Sequence, residues 1–174
     1  MSSVRRVIDE TLVAEAVHDT GVRRLQYAYA DVVNRRAWPE LSDLFLPDAP
    51  VIIDRRSGDP LRLTGPVALG EFIGTSIEQF EFFEFVVLNA HIVFPDGPMA
   101  GTAVCRLFMC ELRHHRITGR QTNAYGIYHD RYRFDGHRWL FAERRYHSLA
   151  RHGPELDAFP FPERPGIEVP RIGT

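Results

Sequence analysis

At 174 residues, with 44% hydrophobic and 25% charged residues and a net charge of −2, the chain has the size and balance of one globular domain with a real core. The near-neutral charge excludes the electrostatic footprint of a nucleic-acid or anionic-membrane binder. No run approaches the ~20 apolar residues of a membrane span, and the first six residues, Met1-Ser2-Ser3-Val4-Arg5-Arg6, carry no apolar signal core, so the cytoplasm is the expected compartment.

Helical periodicity begins near Thr11 and is clear from Val22 onward. Val22, Leu25, Tyr29, Val32 and Arg36 recur at spacings of three and four, with Arg23, Arg24, Asp31 and Arg35 opposite. Pro39 suits the first turn of a short second helix, residues 40–45, which Pro47 ends. Residues 51–54 read as a short strand, and Gly58-Asp59-Pro60 as a loop. Thr64-Gly65-Pro66 opens a third helix, with Thr64 as cap and Leu69, Phe72, Ile73 and Ile77 as its apolar face.

Three long strand regions follow. The first, residues 82–94, ends at the turn cluster Pro95-Asp96-Gly97-Pro98, and the second is residues 102–114. The third is a hairpin whose arms, residues 123–134 and 138–146, flank the turn signal Asp135-Gly136. Cys105 and Cys110, five apart on one strand, point to opposite faces and cannot bridge, so they read as buried thiols of a reducing compartment. From Arg151 on, Pro154, Pro160, Pro162, Pro165 and Pro170 predict an extended arm, with Leu156, Phe159 and Phe161 docking its first part. The expected organisation is a domain over residues 1–150 and a proline-rich arm over 151–174. Helices first and strands last predict an α+β fold, with the helices on one side of a curved, mostly antiparallel sheet that encloses a pocket.

Several residues are candidates for chemistry. Tyr29, on the apolar helix face, is placed to polarise a carbonyl. Phe83, Phe85, Val87, Asn89 and His91 share one face of the first long strand by its period of two. Both faces of that strand are largely apolar, so Asn89 and His91 read as buried polar groups, and His91 is either the best histidine for proton transfer or a solvated residue near the strand end. Asp54 closes the first strand, either as a carboxylate at the cavity mouth or as a turn initiator. Glu111 is a further carboxylate, expected to pair with an arginine across strands. Asp130 is expected to pair with Arg144 across the hairpin. Phe72, Met109, Tyr125, Tyr128 and Tyr146 are candidate pocket residues, along with Asn34, Phe85 and Asn89. No metal-ligand spacing and no glycine-rich phosphate loop is present, so neither a metal nor a nucleotide cofactor is expected.

Three stretches carry a family resemblance. One is Tyr29 to Phe45 with Pro47-Asp48-Ala49. A second is Gly65-Pro66. The third is Gly126-Ile127-Tyr128-His129-Asp130 with Trp139 and Glu143-Arg144-Arg145. Over roughly residues 19–148 the chain resembles the SnoaL-like branch of the nuclear transport factor 2-like (NTF2-like) superfamily, which includes dehydratases, isomerases and polyketide cyclases. The resemblance implies an NTF2-like cone of three N-terminal helices on a strongly curved sheet. It also implies cofactor-free proton transfer next to a carbonyl of an apolar polycyclic or steroid-like molecule. Catalytic members commonly use a tyrosine and an aspartate on the first helix and a histidine on the first long strand. Tyr29 matches, but the aspartate position is Asn34 and the histidine position is Phe85. Asn is no general base and Phe transfers no proton. The competing expectation is therefore a non-catalytic binding or subunit-interaction protein, similar to the β-subunit of ring-hydroxylating dioxygenases. Homodimerisation is expected through the convex face of the sheet, where Val104, Phe108 and Leu112 alternate.

Overall fold

The computed structural model describes residues 9–162. The long helix α1 (Glu10–Arg35) is capped by the Asp9 side chain, which accepts from the Thr11 amide at 2.9 Å, and it ends where Arg36 turns left-handed. A 3-10 helix (Trp38–Asp43) follows, its residue 39 proline in the first turn, where an α-helix was expected over residues 40–45. Then come β1 (Pro50–Ile53), β2 (Leu61–Thr64) and α2 (Gly65–Ile77). Thr64 closes β2 and makes no side-chain cap. Gly65 instead sets the entry to α2. Its φ is +76°, and a Cβ there would run into the Pro47 carbonyl.

Four strands of 14 residues each complete the chain: β3 (Phe80–Val93), β4 (Thr102–His115), β5 (Gln121–Phe134) and β6 (Trp139–His152). A short β7 (Leu156–Ala158) pairs with β6. The sheet order is β2-β1-β6-β5-β4-β3, antiparallel throughout except for β1 on β6. The helices lie on the concave face of this curved α+β cone. Two strands escaped the sequence reading. Both are short, β2 follows a loop signal, and β7 sits among prolines.

The arm is thus partly a sheet element: β6 runs on to His152, beyond residue 150, and β7 extends its edge. Arg56 stacks at 3.6 Å over the Phe159 ring, and Phe161 lies beside Phe108 on the convex face. Leu156 does not dock; it stays exposed. Residues 163–174, including Pro165 and Pro170, lie outside the described residues.

Because β3 is an edge strand, its outer amides and carbonyls have no strand partner, and edge groups of this kind invite aggregation unless they are covered. Helix α1 covers them. Asn34 Nδ2 donates to the Phe85 carbonyl at 3.0 Å and its Oδ1 accepts from the Phe85 amide at 2.7 Å, while Arg23 and Arg36 donate to the carbonyls of Ala90 and Phe80. A bulge at Leu88 then breaks the alternation of β3. Before it, Phe83, Phe85 and Val87 face inward; after it, Ala90 and Ile92 do.

Candidate functional site

The concave side holds a cavity of about 360 Å³, within the range of about 300–1,000 Å³ expected of ligand pockets. Its wall is apolar where α1, α2 and β3 meet, through Val33, Leu69, Phe72, Ile73, Phe83 and Phe85. Its opposite wall is polar and comes from β4, β5 and β6, whose inward positions supply Glu111, Arg113, Tyr128, Arg144 and Tyr146. Tyr29 enters from α1 and Asp54 from the end of β1.

The polar wall follows from register. In the β5–β6 ladder, Asp130 pairs with Arg144 and Tyr128 with Tyr146, so the four side chains share one face. Gly126 lies on the same face next to Tyr128. A Cβ there would collide with the Tyr146 ring and lie 2.9 Å from Met109 Sδ, so glycine makes room for Tyr146. The parallel ladder sets Ile53 beside Tyr146, and the Asp54 amide donates to the Tyr146 carbonyl at 3.1 Å.

Arg144 is the unusual group, a guanidinium 1% exposed in the middle of the core. Its Nε and Nη2 donate to the two oxygens of Asp130 at 3.0 and 2.7 Å, a bidentate charge-assisted pair. Asp130 also accepts from the Tyr132 hydroxyl at 2.9 Å, and Tyr132 accepts from Gln26 Nε2 at 2.9 Å. The cation lies 4.1 Å from the ring centres of both Tyr29 and Tyr128 and 4.2 Å from that of Phe141. Nη1 is buried with no hydrogen-bond partner among the described residues. Burial alone would push the Arg144 pKa down. The Asp130 charge outweighs it and holds the guanidinium well above its ordinary value, so it stays charged. Burial raises the Tyr29 pKa, and the charge of Arg144 offsets part of that rise. Tyr128 is pushed well above its ordinary value and Tyr146 is raised, in both cases mainly by burial. All three phenols are therefore neutral hydrogen-bond donors near pH 7, and Arg144 polarises Tyr29 and Tyr128.

Two carboxylates reach the cavity. Asp54 accepts from the Arg56 amide at 2.9 Å on one oxygen and from the Arg56 guanidinium at 3.3 Å on the other. Burial pushes its carboxyl up, but the Arg56 contacts pull it down further, to below its ordinary value. Glu111 gives Oε2 to Arg113, two residues along its own strand rather than across strands. Among the described residues its Oε1 makes no hydrogen bond.

The sequence candidates thus divide. Tyr29, Asp54, Phe72, Phe85, Tyr128, Tyr146 and Arg144 line the cavity, and Asp130 stands behind Arg144. Met109 is buried in the core and does not line it. Tyr125, paired with Cys110, alternates with the inward Ala124 and Gly126 and does not line it either. Asn34 and Phe85 are neighbours, but Asn34 bonds the Phe85 backbone on the exposed side of α1. The face assigned to Asn89 and His91 is corrected by the bulge at Leu88. It turns both away from the cavity, leaving Asn89 exposed and His91 opposite Arg106 on the convex side. Sequence reasoning missed Arg113, and it missed Arg144 as a cavity residue. A signal for Arg144 existed: it lies two residues from Tyr146, on one strand face.

Among the described residues no group of three or more His, Cys, Asp and Glu is placed to hold a metal ion, and no helix is long and apolar enough to cross a membrane.

Comparison with known proteins identifies the architecture. A candidate scytalone dehydratase from Novosphingobium aromaticivorans DSM 12444 superposes with a TM-score of 0.71 at 18% identity, over 84% of this chain and 94% of that one. The hexachlorocyclohexane dehydrochlorinase LinA-type3 from Novosphingobium barchaimii LL02 superposes with a TM-score of 0.70 at 12% identity, over 86% and 99%. An NTF2-like protein with a cystatin-like fold from Novosphingobium aromaticivorans gives 0.65 at 15%, over 83% and 92%. These likenesses are of fold. A search of curated proteins finds no match. The model of the SnoaL-like domain matches residues 15–145, most of the chain, and the protein belongs to that family.

Proposed function

We propose that the protein is a cofactor-free enzyme of the lyase or isomerase type that moves a proton next to a carbonyl of a flat, apolar small molecule. The observation that carries this reading is the buried Arg144 cation, held by Asp130 and stacked behind the phenols of Tyr29 and Tyr128 in the polar wall of a cavity whose other wall is apolar. Neutral phenols polarised by a fixed positive charge in a low-dielectric hollow suit an oxygen that gains charge as a carbanion forms beside it. The donors are Tyr29, Tyr128 and Tyr146, and a cavity carboxylate, Asp54 or Glu111, takes the proton. Family membership supports the reading, and so do the dehydratase and dehydrochlorinase names of its structural neighbours.

A second reading, binding without turnover, is favoured by one observation: positions 34 and 85, where the resemblance implies an aspartate and a histidine, hold a structural amide and a phenylalanine. Exchange of the α-protons of 2-tetralone in D2O, followed by NMR, separates the two. The enzymatic reading expects wild-type protein to accelerate exchange over buffer, and expects Tyr128→Phe to lose about 10²-fold of that acceleration. Binding of 2-tetralone at the buffer exchange rate would support the second reading.

The proposal includes a cytoplasmic homodimer that pairs through the convex face around the half-buried Val104 and Leu112. The buried free thiols Cys105 and Cys110 fit a reducing compartment. Sedimentation as a monomer at micromolar concentration would refute the dimer.

A further inference from the structure

We infer that Glu111 is the general base of this site and takes the place of the aspartate and histidine that resembling catalytic members commonly use on the first helix and first long strand. The inference rests on the proton-transfer reading above and concerns which group holds the proton. Three observations lead to it. First, both conventional positions are closed to proton transfer: the Asn34 amide is committed to the Phe85 backbone, and Phe85 presents a ring to the cavity. Second, His91, the histidine that β3 offers, is turned out of the cavity by the Leu88 bulge. Third, the two cavity carboxylates are not equivalent. Asp54 has both oxygens engaged by Arg56. Glu111 has one oxygen anchored by Arg113 and one uncommitted, with its side chain 17% exposed. A base needs one free oxygen and a fixed orientation, and Glu111 has both. Glu111 and the three phenols, Tyr29, Tyr128 and Tyr146, line the same cavity, so base and donors share one space.

The step balances without any further reactant. Glu111 Oε1 takes the proton from the carbon next to the carbonyl. The C–H electron pair forms the C=C bond of the enolate, and the carbonyl π pair moves onto oxygen, where the phenols hold it. In an isomerisation Glu111 returns the proton to the far carbon of the conjugated system. In an elimination the oxygen's pair re-forms the carbonyl, and the enolate C=C pair shifts to form a new double bond to the β-carbon as its substituent leaves with its bonding pair and takes the proton from Glu111.

The test uses the full chain with 2-tetralone as exchange probe and 2-naphthol as a mimic of the enolic form. Glu111→Gln is expected to lose about 10²- to 10⁴-fold of the exchange rate, while Glu111→Asp retains part of it. Glu84→Gln, on the outer face of β3, is expected to exchange at the wild-type rate. Glu111→Gln is also expected to bind 2-naphthol at least as tightly as wild type, because it keeps the cavity and removes a negative charge facing the mimic's oxygen. If Glu111→Gln exchanges like wild type while Asp54→Asn abolishes exchange, Glu111 is not the base and the proton-transfer reading survives. Loss of both exchange and 2-naphthol binding in Glu111→Gln assigns the residue to the scaffold and overturns the inference. Wild-type protein that exchanges 2-tetralone no faster than buffer overturns the inference together with the reading it rests on.

Discussion

Replacing Asp130 with asparagine preserves the shape of the side chain and removes the charge that holds Arg144. The carboxylate accepts three hydrogen bonds, from Arg144 Nε at 3.0 Å, Arg144 Nη2 at 2.7 Å and the Tyr132 hydroxyl at 2.9 Å. An asparagine offers one oxygen and one amide donor, so at least one donor must face another donor in a region closed to water. Both partners are essentially fully buried, at 0% and 1% exposure. Breaking such a pair from one side costs about 3–5 kcal/mol, because the surviving charge is left uncompensated. For a domain of this length each kcal/mol shifts the melting temperature by about 2–4 °C, so Asp130→Asn is expected to melt roughly 6–20 °C below wild type. Urea denaturation followed by circular dichroism gives the free energy directly. Removing the charge on both sides, as in Asp130→Asn with Arg144→Met, is expected to recover part of the loss, since an apolar pair leaves no orphaned ion. A loss below about 1 kcal/mol for Asp130→Asn alone would refute the view that this carboxylate keeps a charged guanidinium in the core, since a loss of that size is typical of a surface ion pair.

Asn34→Ala removes two bonds to the β3 edge at a partly exposed position and should cost about 0.5–1.5 kcal/mol by denaturant titration. Asn34→Asp should not restore wild-type stability, because a carboxylate cannot donate to the Phe85 carbonyl. Gly126→Ala must displace Tyr146, at about 1–3 kcal/mol of overpacking and with a changed near-ultraviolet dichroism spectrum; an unchanged spectrum and stability would show that Tyr146 does not lie over residue 126. Burial pushes the Cys105 thiol up to about 12 and raises that of Cys110. A disulfide-exchange reagent at pH 8 should therefore label both at the unfolding rate and quantitatively only in denaturant; prompt stoichiometric labelling of native protein would contradict the burial.

The parts legible in the sequence were those that a regular period carries. The α1 face Val22-Leu25-Tyr29-Val32 is buried as its spacing predicts, and the hairpin register places Asp130 against Arg144 as the alternation of β5 and β6 requires. That single pair also orients the whole strand face: once it is known to point inward, Tyr128 and Tyr146 follow at plus or minus two residues. What the sequence does not display is a break in period. Leu88 carries no glycine or proline signal, and Val86 to Val93 reads as one continuous strand, yet one extra residue there reverses every side chain beyond it. Asn89 and His91 were placed in the cavity by counting through that point. The β7 strand was hidden differently, by prolines on both sides of a three-residue ladder that needs only an exposed edge to pair with.

The same bulge ties the edge of the sheet to the chemistry. An edge strand must have its outer backbone groups covered, and α1 does this with Asn34, whose amide both donates and accepts as a neighbouring strand would. An aspartate at that position could accept from the Phe85 amide but would set its charge against the Phe85 carbonyl. The asparagine that fits the edge is therefore also a side chain that cannot serve as acid or base there. With Phe85 filling the inward site on β3, the polar residues of the cavity concentrate on the opposite wall, where β4, β5 and β6 bring Glu111, Tyr128, Arg144 and Tyr146 to one concave surface. If edge protection and catalysis compete for residue 34 in this way, Asn34→Asp combined with Phe85→His should rebuild a dyad only at a loss of stability. On the proton-transfer proposal it should also leave the dependence of exchange on Glu111 in place, because Glu111 and the phenols of Tyr29, Tyr128 and Tyr146 are unchanged. Exchange that no longer needs Glu111 in that double variant would show that the α1–β3 wall still faces the reacting carbon.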